Sequence, residues 1–535
     1  MRFRMLLAAA LLAAAARGQQ PLAPPNDPVG NPSTPAKVVL GKILFHDEQL
    51  SSNGRMACAT CHQNEAGGGD ARRQRHPGLD GIRFTADDTF GSPGIERLDG
   101  TLHHTADARF GYDEQVTGRA APSVHMAAAF DELLWDGARD QLLRDPETNS
   151  VVLASGAALE HQSLHPFRNE VEMAHEGRSW AQIRTAVAGL RPLALASNLP
   201  PDVQQALATN PNYPSLFVTA FGDANVTLPR VAMALASYQR SLAPTQTPWD
   251  QFVAGQASAL TAQQQLGLQV YQSDARCDLC HPLGLFTDRS YRALGLLPVG
   301  NDPGRGGVTG VPEDLGRFKV PSLRNVALKS TFLHTGRFTT LLQVVNFYNN
   351  GAGTNSPKDS DLQPLGLDQL EIAALLDFLE NGLVDPRARN RLPPFDRPTL
   401  FSESQPRGSN QFGIATPFAG AAPRLLADAA PWLGNPAWPL GLVQGPANGA
   451  GALLVTLAQL PGGTPFQGTQ LYVDPASLLT ILPLSLDATG TANAPQPLPL
   501  ALEFLGLPLH LQALVAGAVP TPPWGASRAA TIVLR

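Results

Sequence analysis

Cysteine is scarce in this sequence, and so is any apolar run long enough to cross a membrane. The 535 residues contain only four cysteines, too few for the disulfide framework of a small secreted domain. After the N-terminal region, no segment offers the roughly 18 consecutive apolar residues that a membrane span requires. A basic surplus is also missing, because 39 Lys and Arg stand against 45 Asp and Glu. We therefore expect neither a membrane span nor a nucleic-acid partner, since nucleic-acid-binding proteins carry basic patches.

All four cysteines fall in two copies of one pentapeptide, C-x-x-C-H. Its residues are Cys58, Cys61 and His62 in the first copy, and Cys277, Cys280 and His281 in the second. At this spacing two thiols can attach to the vinyl groups of one haem, and the histidine becomes an axial iron ligand. A C-x-x-C pair alone would also suit a redox disulfide or half a zinc site. The histidine in both copies favours haem, so we predict two covalently bound haem c groups.

The first 18 residues have the pattern of a secretory signal peptide. Arg2 and Arg4 are followed by a short apolar stretch, residues 5–16, and by the small-x-small sequence Ala16-Arg17-Gly18. We therefore predict a periplasmic or secreted protein. Removal of this segment would make the chain more acidic, since it carries three arginines and no acidic residue. An acidic surface would suit a basic redox partner, although net charge alone does not identify one.

Helical periodicity is prominent up to about residue 398, and then it fades. The helical patterns cover residues 180–187, 228–242, 260–271 and 367–381. From residue 399, short apolar runs are separated by turn sequences such as Gly462-Gly463, which is typical of strands. We predict a mainly α protein with two haem domains and a small all-β, sandwich-like C-terminal domain. The predicted boundaries are 1–18 for the signal peptide, 19–255 and 256–398 for the haem domains, and 399–535 for the β module.

Several motifs outside the pentapeptides resemble those of the bacterial dihaem cytochrome c peroxidases and their relative MauG. The resemblance covers roughly residues 30–395. It is carried by residues 40–45, 50–54, 119–123, 134–137, 169–173, 212–222, 318–327 and 334–338. It implies cytochrome-c-like haem domains, of which the N-terminal one reacts with peroxide. The β module lies outside the resemblance, and its role cannot be read from the sequence.

The resemblance assigns three residues to catalysis: Gln162, Glu172 and Trp135. Glu172 would be the acid–base group that moves a proton between the two peroxide oxygens, and Gln162 would orient peroxide. Trp135 matches a tryptophan that lies between the two haems and would relay electrons. Without the family context, Glu172 and Gln162 would read as surface residues and Trp135 as a core residue.

The predicted distal ligand of the second haem is unusual. Peroxidases of this family usually place a methionine fourteen residues after the histidine of the His-x-Gly motif, and counting from His334 gives Tyr348. The chain has no methionine after Met233. MauG carries tyrosine at this position, so the resemblance implies Tyr348 as the iron ligand. The alternative is a half-buried aromatic residue on a helix.

Other positions depart from the family or are assigned only by it. The resting peroxidases have a histidine ligand after the first haem motif, for which His76 is the nearest candidate here; we favour an open position instead. His103 and His104 lie in an insertion relative to the family. Ala120 replaces an asparagine that binds an inter-haem calcium ion, so calcium stays open. Arg324 is assigned to a haem propionate, and His334 to hydrogen bonding between the haems.

The sequence therefore predicts a peroxidase-type oxidoreductase that reduces hydrogen peroxide with electrons from a small redox protein. One alternative is a MauG-like oxidase that uses high-valent dihaem iron to oxidise a partner protein. An alternative of another class is a dihaem electron carrier without catalysis, which would not need the pair Gln162 and Glu172. The donor, any protein substrate, the haem potentials and the oligomeric state cannot be read from the sequence.

Overall fold

The structure, a computed structural model, describes residues 19–535 apart from 406–407 and 518–523. The predicted signal peptide, residues 1–18, lies outside the described residues. The α-helices, in chain order, are α1 Pro35–His46, α2 Cys58–Cys61, α3 Ala158–Leu164, α4 Trp180–Gly189, α5 Pro201–Thr209, α6 Tyr213–Phe221, α7 Leu228–Ser241, α8 Pro248–Val253, α9 Ala262–Gln272, α10 Gly306–Thr309, α11 Leu341–Asn349, α12 Gln369–Asp377, α13 Pro386–Arg389 and α14 Phe401–Ser404. Within the described ranges, no helix is both long and apolar enough to cross a membrane.

The strands before residue 399 form three small antiparallel pairs, and those after it form the β module. The strands of the pairs are β1 Gln74–His76, β2 Thr89–Gly91, β3 Leu143–Arg144, β4 Val151–Leu153, β5 Tyr291–Ala293 and β6 Arg317–Lys319. Those of the module are β7 Asn410–Phe412, β8 Arg424–Leu426, β9 Gly441–Val443, β10 Ala450–Thr456, β11 Gln459–Phe466, β12 Thr469–Val473, β13 Leu478–Ser485, β14 Ala492–Asn493, β15 Pro508–Ala516, β16 Gly525–Ala526 and β17 Ala529–Val533.

The first haem motif follows helix α1, which crosses a second helix, α7, at a glycine. Helix α1 starts at Thr34, whose side chain accepts a hydrogen bond from the backbone N–H of Lys37. It packs against α7, and a Cβ added at Gly41 would lie only 1.9 Å from the carbonyl oxygen of Ala234 and 2.9 Å from Cβ of Tyr238. Only glycine allows the two backbones to approach so closely.

The second haem motif also follows a helix, α9, that crosses another helix at a glycine. Helix α9 starts at Thr261, which forms a reciprocal cap with Gln264, and it packs against α12. A Cβ added at Gly267 would lie 2.0 Å from the carbonyl oxygen of Ala374 and 2.8 Å from Cβ of Phe378. Ala374 and Phe378 are four residues apart, as are Ala234 and Tyr238 in the first helix pair. The two halves therefore share one packing arrangement next to their haem motifs.

The β module has two facing sheets, as the sequence predicts. The larger sheet has the order β13-β10-β15-β17-β7, with β16 paired to β15, and the smaller has the order β14-β9-β8. A hairpin of β11 and β12 completes the module. Its buried core draws Leu425 and Leu442 from the smaller sheet and Leu453, Leu511 and Ala513 from the larger one. Burial between two sheets is the arrangement of a sandwich.

The β module is packed on the first half of the chain. The ring of Trp432 lies against Gly54, whose φ of +67° and close neighbour both exclude a larger residue. The insertion that carries His104 contributes to the contact: the backbone N–H of His104 donates to Oδ1 of Asn493 at 2.9 Å. The side chain of His104 is buried at this contact.

The region before residue 399 is less helical than the description "mainly α" implies. Most of its helices span fewer than twelve residues, and long irregular segments connect them. The sequence contains 49 glycines and 48 prolines, which favour turns over helices. The predicted helix at 367–381 is shorter than expected, since α12 ends at Asp377 and a π-helical turn, Phe378–Gly382, follows.

Substitution of the crossing glycines should weaken the fold. We expect Gly41→Ala and Gly267→Ala each to lower the free energy of unfolding by about 1–3 kcal/mol or more, because the methyl group forces two helix backbones apart. Urea unfolding would measure this. Gly189→Ala is the matched control: it also lies on a helix, no atom lies within 4 Å of its added Cβ, and we expect it to be neutral or stabilising. Unchanged stability of Gly41→Ala would contradict the packing argument.

Candidate active site

Both C-x-x-C-H motifs open into one cavity of about 1080 Å³. Its lining includes all four cysteines and both histidines of the motifs, together with Gln162, Glu172, Trp135 and Tyr348. Residues from α3, α7, α11 and the irregular segments 115–125 and 318–334 form much of the wall. The chain therefore brings the predicted site residues, which are spread over about 290 positions, around a single space.

Hydrogen bonds to backbone carbonyls fix the rings of His62 and His281. Nδ1 of His62 lies 3.0 Å from the carbonyl oxygen of Gly68, and Nδ1 of His281 lies 2.9 Å from that of Phe286. A carbonyl oxygen can only accept, so Nδ1 must carry the proton and Nε2 keeps its lone pair. This is the second contact that metal-binding histidines usually make. Burial lowers the pKa of both rings, which also favours the neutral form.

The cysteines are suited to haem attachment and not to the two alternatives. All four are free, and burial raises the pKa of the Cys58 and Cys277 thiols to about 12. Protonated thiols of this kind are poor redox nucleophiles. Among the described residues, no group of three or more His, Cys, Asp and Glu is arranged to hold a metal ion. Neither cysteine pair therefore has the further ligands that a zinc site requires. The free thiols, the available Nε2 atoms and the cavity together fit two haem c groups.

Gln162 lines the cavity from helix α3, which a buried ion pair holds in place. Glu160 accepts two hydrogen bonds from Nη2 of Arg240 on α7, at 2.7 and 2.8 Å, and both side chains are buried. Gln162 lies half a turn further on, and its Oε1 is buried without a hydrogen-bond partner in the part of the chain that the structure describes. Buried amides are normally satisfied, so this oxygen is available to a ligand in the cavity.

Glu172 lines the same cavity from a tight turn. Its backbone N–H donates to the carbonyl of Asn169 at 3.1 Å, and the neighbouring carbonyls of Val171 and Met173 accept from Ile95 and Ser52. The carboxylate makes no hydrogen bond to another described residue. Burial raises the pKa of Glu172 to about 7, and the charge of Arg139 opposes this only in part. A carboxyl group with this pKa exchanges protons readily near neutral pH.

Trp135 lines the cavity that the two motifs share. Its indole N–H donates to the carbonyl oxygen of Ala120 at 2.8 Å, and its ring is in edge contact with His334 at a centroid distance of 6.3 Å. His334 is stacked on Phe318 and is buried. Its ring makes no hydrogen bond to another described residue and lines the cavity, so its hydrogen-bonding role between the haems stays a prediction. At the position where the family has a calcium-binding asparagine, the carbonyl of Ala120 accepts the hydrogen bond from Trp135. An inter-haem calcium ion stays an open prediction.

Tyr348 lines the cavity from helix α11 on the side of the second motif. The helix begins after Thr340, which forms a reciprocal cap with Gln343. The phenol makes no hydrogen bond to another described residue. Burial raises the pKa of Tyr348, and the nearby Cys280 and Cys277 contribute to this shift. The tyrosine is thus close to the second pair of cysteines, where the sequence places a distal ligand.

Arg324 contradicts its predicted role. Its guanidinium forms two hydrogen bonds to the carboxylate of Asp250, at 2.7 and 2.8 Å, and donates to the carbonyls of Gly284 and Pro244. It is fully buried and is not part of the cavity lining. Four of its five N–H groups are therefore occupied, and it does not offer a propionate the paired contact that we expected. The sequence could not show this, because Asp250 is 74 positions away.

Lys329 lines the cavity, although no motif of the sequence assigns its side chain a role. Its amine makes no hydrogen bond or ion pair with another described residue, and a Cβ added at Gly69 would lie 2.7 Å from Nζ. Burial lowers the pKa of Lys329 to about 8, and Asp70 partly opposes the shift. A cation without a partner at the cavity wall suits the carboxylate of a haem propionate.

His76 also lines the cavity, but its ring is not prepared to bind iron. The backbone N–H of Gly78 donates to Nδ1 of His76 at 3.2 Å. An N–H can only donate, so Nδ1 must accept and the proton of the neutral ring sits on Nε2. This is the reverse of His62 and His281. The geometry therefore favours an open distal position at the first haem motif.

Comparison with known proteins gives a consistent result. The family model "Di-haem cytochrome c peroxidase" matches residues 35–258. The methylamine utilization protein MauG of Methylophilus methylotrophus is 28% identical over 360 residues, which cover 66% of this chain and 84% of that protein. The cytochrome-c peroxidase IdrP1 of Pseudomonas sp. (strain SCT) is 27% identical over 420 residues, 72% of this chain and 89% of that protein.

One solved structure supports the fold. It is the crystal structure of a MauG-like protein associated with microbial copper homeostasis, with a TM-score of 0.50 and 23% identity. The match covers 72% of this chain and 97% of that one. At this identity the likeness concerns the fold alone. The sequence matches identify the protein as an oxidoreductase whose residues 35–258 match the di-haem cytochrome c peroxidase family and whose relatives include MauG and cytochrome-c peroxidases.

Proposed function

We propose that this protein reduces hydrogen peroxide to water at its first haem motif, with electrons that arrive through the second. One observation carries the proposal: a single cavity unites both C-x-x-C-H motifs with a carboxyl group of pKa about 7 and an amide oxygen without a partner. We further propose that the protein is periplasmic or secreted, in line with the pattern of residues 1–18. The division into haem domains at residues 255 and 398 is likewise a proposal.

The haem groups would supply the redox chemistry, and the protein's side chains the proton chemistry. Cys58 and Cys61 would hold one haem and Cys277 and Cys280 the other, with Nε2 of His62 and of His281 directed at iron. Reduction of one peroxide to two waters consumes two electrons and two protons. The protein must therefore hold peroxide in one orientation and move a proton from one oxygen to the other.

Glu172 and Gln162 are suited to these two tasks. In its ionised form the carboxylate of Glu172 accepts the proton from one peroxide oxygen, and in its protonated form it donates that proton to the departing oxygen. A pKa of about 7 keeps both forms accessible at neutral pH. The free Oε1 of Gln162 accepts a hydrogen bond from peroxide and fixes its orientation.

Trp135 provides a route for electrons between the two motifs. It lines the cavity that both motifs share, and its N–H is held by Ala120. An indole ring in such a position shortens each electron-transfer step between the two centres. In this proposal the shared cavity places Trp135 within one space with both haem motifs.

A second function, oxidation of a partner protein, is favoured by Tyr348. A phenolate oxygen is a hard ligand that stabilises ferric and higher iron states, whereas a thioether favours ferrous iron. Tyr348 lies beside the second pair of cysteines, and the sequence has no methionine after Met233. This environment suits retention of oxidising equivalents, which could then be passed to a protein. A non-catalytic carrier is disfavoured, because it would not require Glu172 and Gln162 in the cavity.

Replacement of Glu172 should remove the proton-transfer step. We expect Glu172→Gln to lower kcat/KM for hydrogen peroxide by about 10²–10⁴-fold, the usual contribution of a general acid–base group. Steady-state peroxide consumption would measure this. Glu176→Gln is the matched control, because Glu176 is exposed and pairs with Arg97 outside the cavity.

The wild-type rate should depend on pH in a way that the variant does not. The ionised form of Glu172 acts first, so the rate should fall as the pH decreases through about 7. In Glu172→Gln this dependence should be lost. A variant that keeps the wild-type rate and pH profile would show that Glu172 is not the proton acceptor.

Replacement of Tyr348 should change the second haem. We expect Tyr348→Met to raise its reduction potential by roughly 0.1 V or more, within the range of about 0.8 V that axial ligands span. Redox titration and paramagnetic resonance spectra would record this change. Phe347→Met, next to it on α11, serves as the control. Unchanged spectra in Tyr348→Met would rule out tyrosine ligation.

A further inference from the structure

The turn that carries Glu172, residues 169–173, is supported from outside; we call it the Glu172 turn. The carboxylate of Glu172 makes no hydrogen bond to another described residue, so its position depends on the backbone of the turn. Inside the turn, the N–H of Glu172 donates to the carbonyl of Asn169 at 3.1 Å. Outside it, three carbonyls of the turn accept hydrogen bonds from two other segments, 51–54 and 92–117. Whatever holds these segments therefore influences where the carboxyl group lies.

The segment 92–117 is a hairpin whose base is bonded to the Glu172 turn. Backbone hydrogen bonds pair its two arms. The N–H of Ile95 donates to the carbonyl of Val171 at 3.1 Å. The buried side chain of Gln115 donates through Nε2 to the carbonyl of Glu170 at 2.9 Å. Each arm of the hairpin thus supplies one bond to the turn.

The hairpin and the turn are also in direct backbone contact at Gly94. A Cβ added there would lie 1.7 Å from the carbonyl oxygen of Val171 and 3.3 Å from Cα of Glu172. Beyond the turn, the N–H of Glu176 donates to the carbonyl of Leu98 on the hairpin at 2.8 Å. A shift of the hairpin must therefore be followed by the Glu172 turn.

The far end of the hairpin is bonded to the β module. The backbone N–H of His104 donates to Oδ1 of Asn493 at 2.9 Å, and Nδ2 of Asn493 donates to the carbonyl of His104 at 3.3 Å. The hydroxyl groups of Tyr112 and Thr491 are hydrogen-bonded at 2.8 Å. A two-stranded hairpin is only marginally stable by itself. Its attachments at the two ends therefore determine its position.

The β module also holds the other segment, residues 51–54. The backbone N–H of Ala430 donates to the carbonyl of Asn53 at 2.8 Å. The N–H of Ser52, one residue earlier, donates to the carbonyl of Met173 in the Glu172 turn at 2.9 Å. Both segments that support the turn are thus bonded to the module.

We propose that the β module is a brace for the Glu172 turn: by holding the hairpin and residues 51–54, it fixes the backbone that carries Glu172. A displacement of about 1 Å can slow a reaction by about 10²-fold, and a carboxyl group without hydrogen bonds of its own relies on its backbone. The inference rests on the proposed function for the catalytic role of Glu172. Bracing of the turn can be measured without activity.

The first test loosens the contact with the module in the full-length, haem-loaded protein. Tyr112→Phe with Asn493→Ala removes three hydrogen bonds between the hairpin and the module, and neither residue lines the cavity. The control is Tyr472→Phe. This buried tyrosine also belongs to the module, and its hydroxyl group makes no hydrogen bond to another described residue.

Hydrogen exchange, followed by mass spectrometry, measures the bracing itself. We expect amides in residues 92–117 and in residues 169–178 to exchange about tenfold or more faster in the double variant, because local opening becomes easier. In Tyr472→Phe the exchange should match the wild type. Faster exchange in the hairpin alone, or in neither segment, would overturn the proposal.

The reaction of the ferric protein with hydrogen peroxide measures the effect on Glu172. In the double variant we expect the second-order rate constant to fall about tenfold or more. The midpoint of its pH dependence should move below the value of about 7 that burial gives to the pKa of Glu172, because water enters beside a loosened turn. Tyr472→Phe should keep both values.

The variant Glu172→Gln separates this inference from the proposed function. If Glu172→Gln slows the reaction but the double variant keeps the wild-type rate and midpoint, the brace proposal is wrong. If Glu172→Gln does not slow the reaction, the proposed function fails instead, and hydrogen exchange alone decides whether the module braces the turn.

The second test addresses the contact between the hairpin and the turn. Gly94→Ala places a methyl group against the turn, and we expect the same fall in rate and the same shift in midpoint. Gly100→Ala is the matched control on the same hairpin, since its added Cβ meets only the carbonyl oxygen of Glu176, at an ordinary 3.5 Å. If Gly94→Ala does not fold, Gln115→Met removes the bond to Glu170 instead. A wild-type rate and midpoint in the folded variant would overturn the proposal.

Discussion

Two backbone carbonyl oxygens, those of Gly68 and Phe286, determine how the site is built. Each accepts a hydrogen bond from Nδ1 of the adjacent motif histidine, so each Nε2 keeps its lone pair. The pentapeptides predict which residues attach haem, and these carbonyls fix the tautomer and orientation of the rings. The helix pairs that cross at Gly41 and Gly267 place both motifs on comparable supports. Gln162, Glu172 and Tyr348 line the same cavity as these two rings.

The two centres share one cavity but differ in their surroundings. The first is faced by a carboxyl group and an amide oxygen that have no partner among the described residues, and the second by a phenol. Leaving buried polar groups unsatisfied costs about 1–3 kcal/mol each, so such groups persist where a ligand completes them. Glu172 and Gln162 are therefore the strongest structural support for the proposal that a small polar molecule binds in the cavity.

Residues whose role follows from local spacing were predictable, and those defined by distant contacts were not. The pentapeptides identify His62 and His281, and the family motifs locate Glu172, Gln162, Trp135 and Tyr348 in the cavity. Arg324 was misassigned because its partner, Asp250, comes from another helix and takes up its guanidinium. Lys329 was overlooked because only the fold shows that its amine reaches the cavity. The sandwich of the tail was predictable from strand and turn patterns, but its docking through His104 depends on a contact 389 residues apart.

That docking also shows how segments outside the family pattern affect the site. The insertion around His104 contacts the β module on one side, and its residues Asp107 to Phe110 line the cavity. Phe110 is in edge contact with His76, at a centroid distance of 5.7 Å, and His76 leads into the 77–88 loop. The β module, this insertion and the exposed loop are therefore linked by direct contacts along one wall. Densely packed side chains transmit changes in shape. We therefore expect a change at the contact with the β module to reach the cavity wall. The family model matches residues 35–258, so the β module that packs on this wall lies outside the matched region.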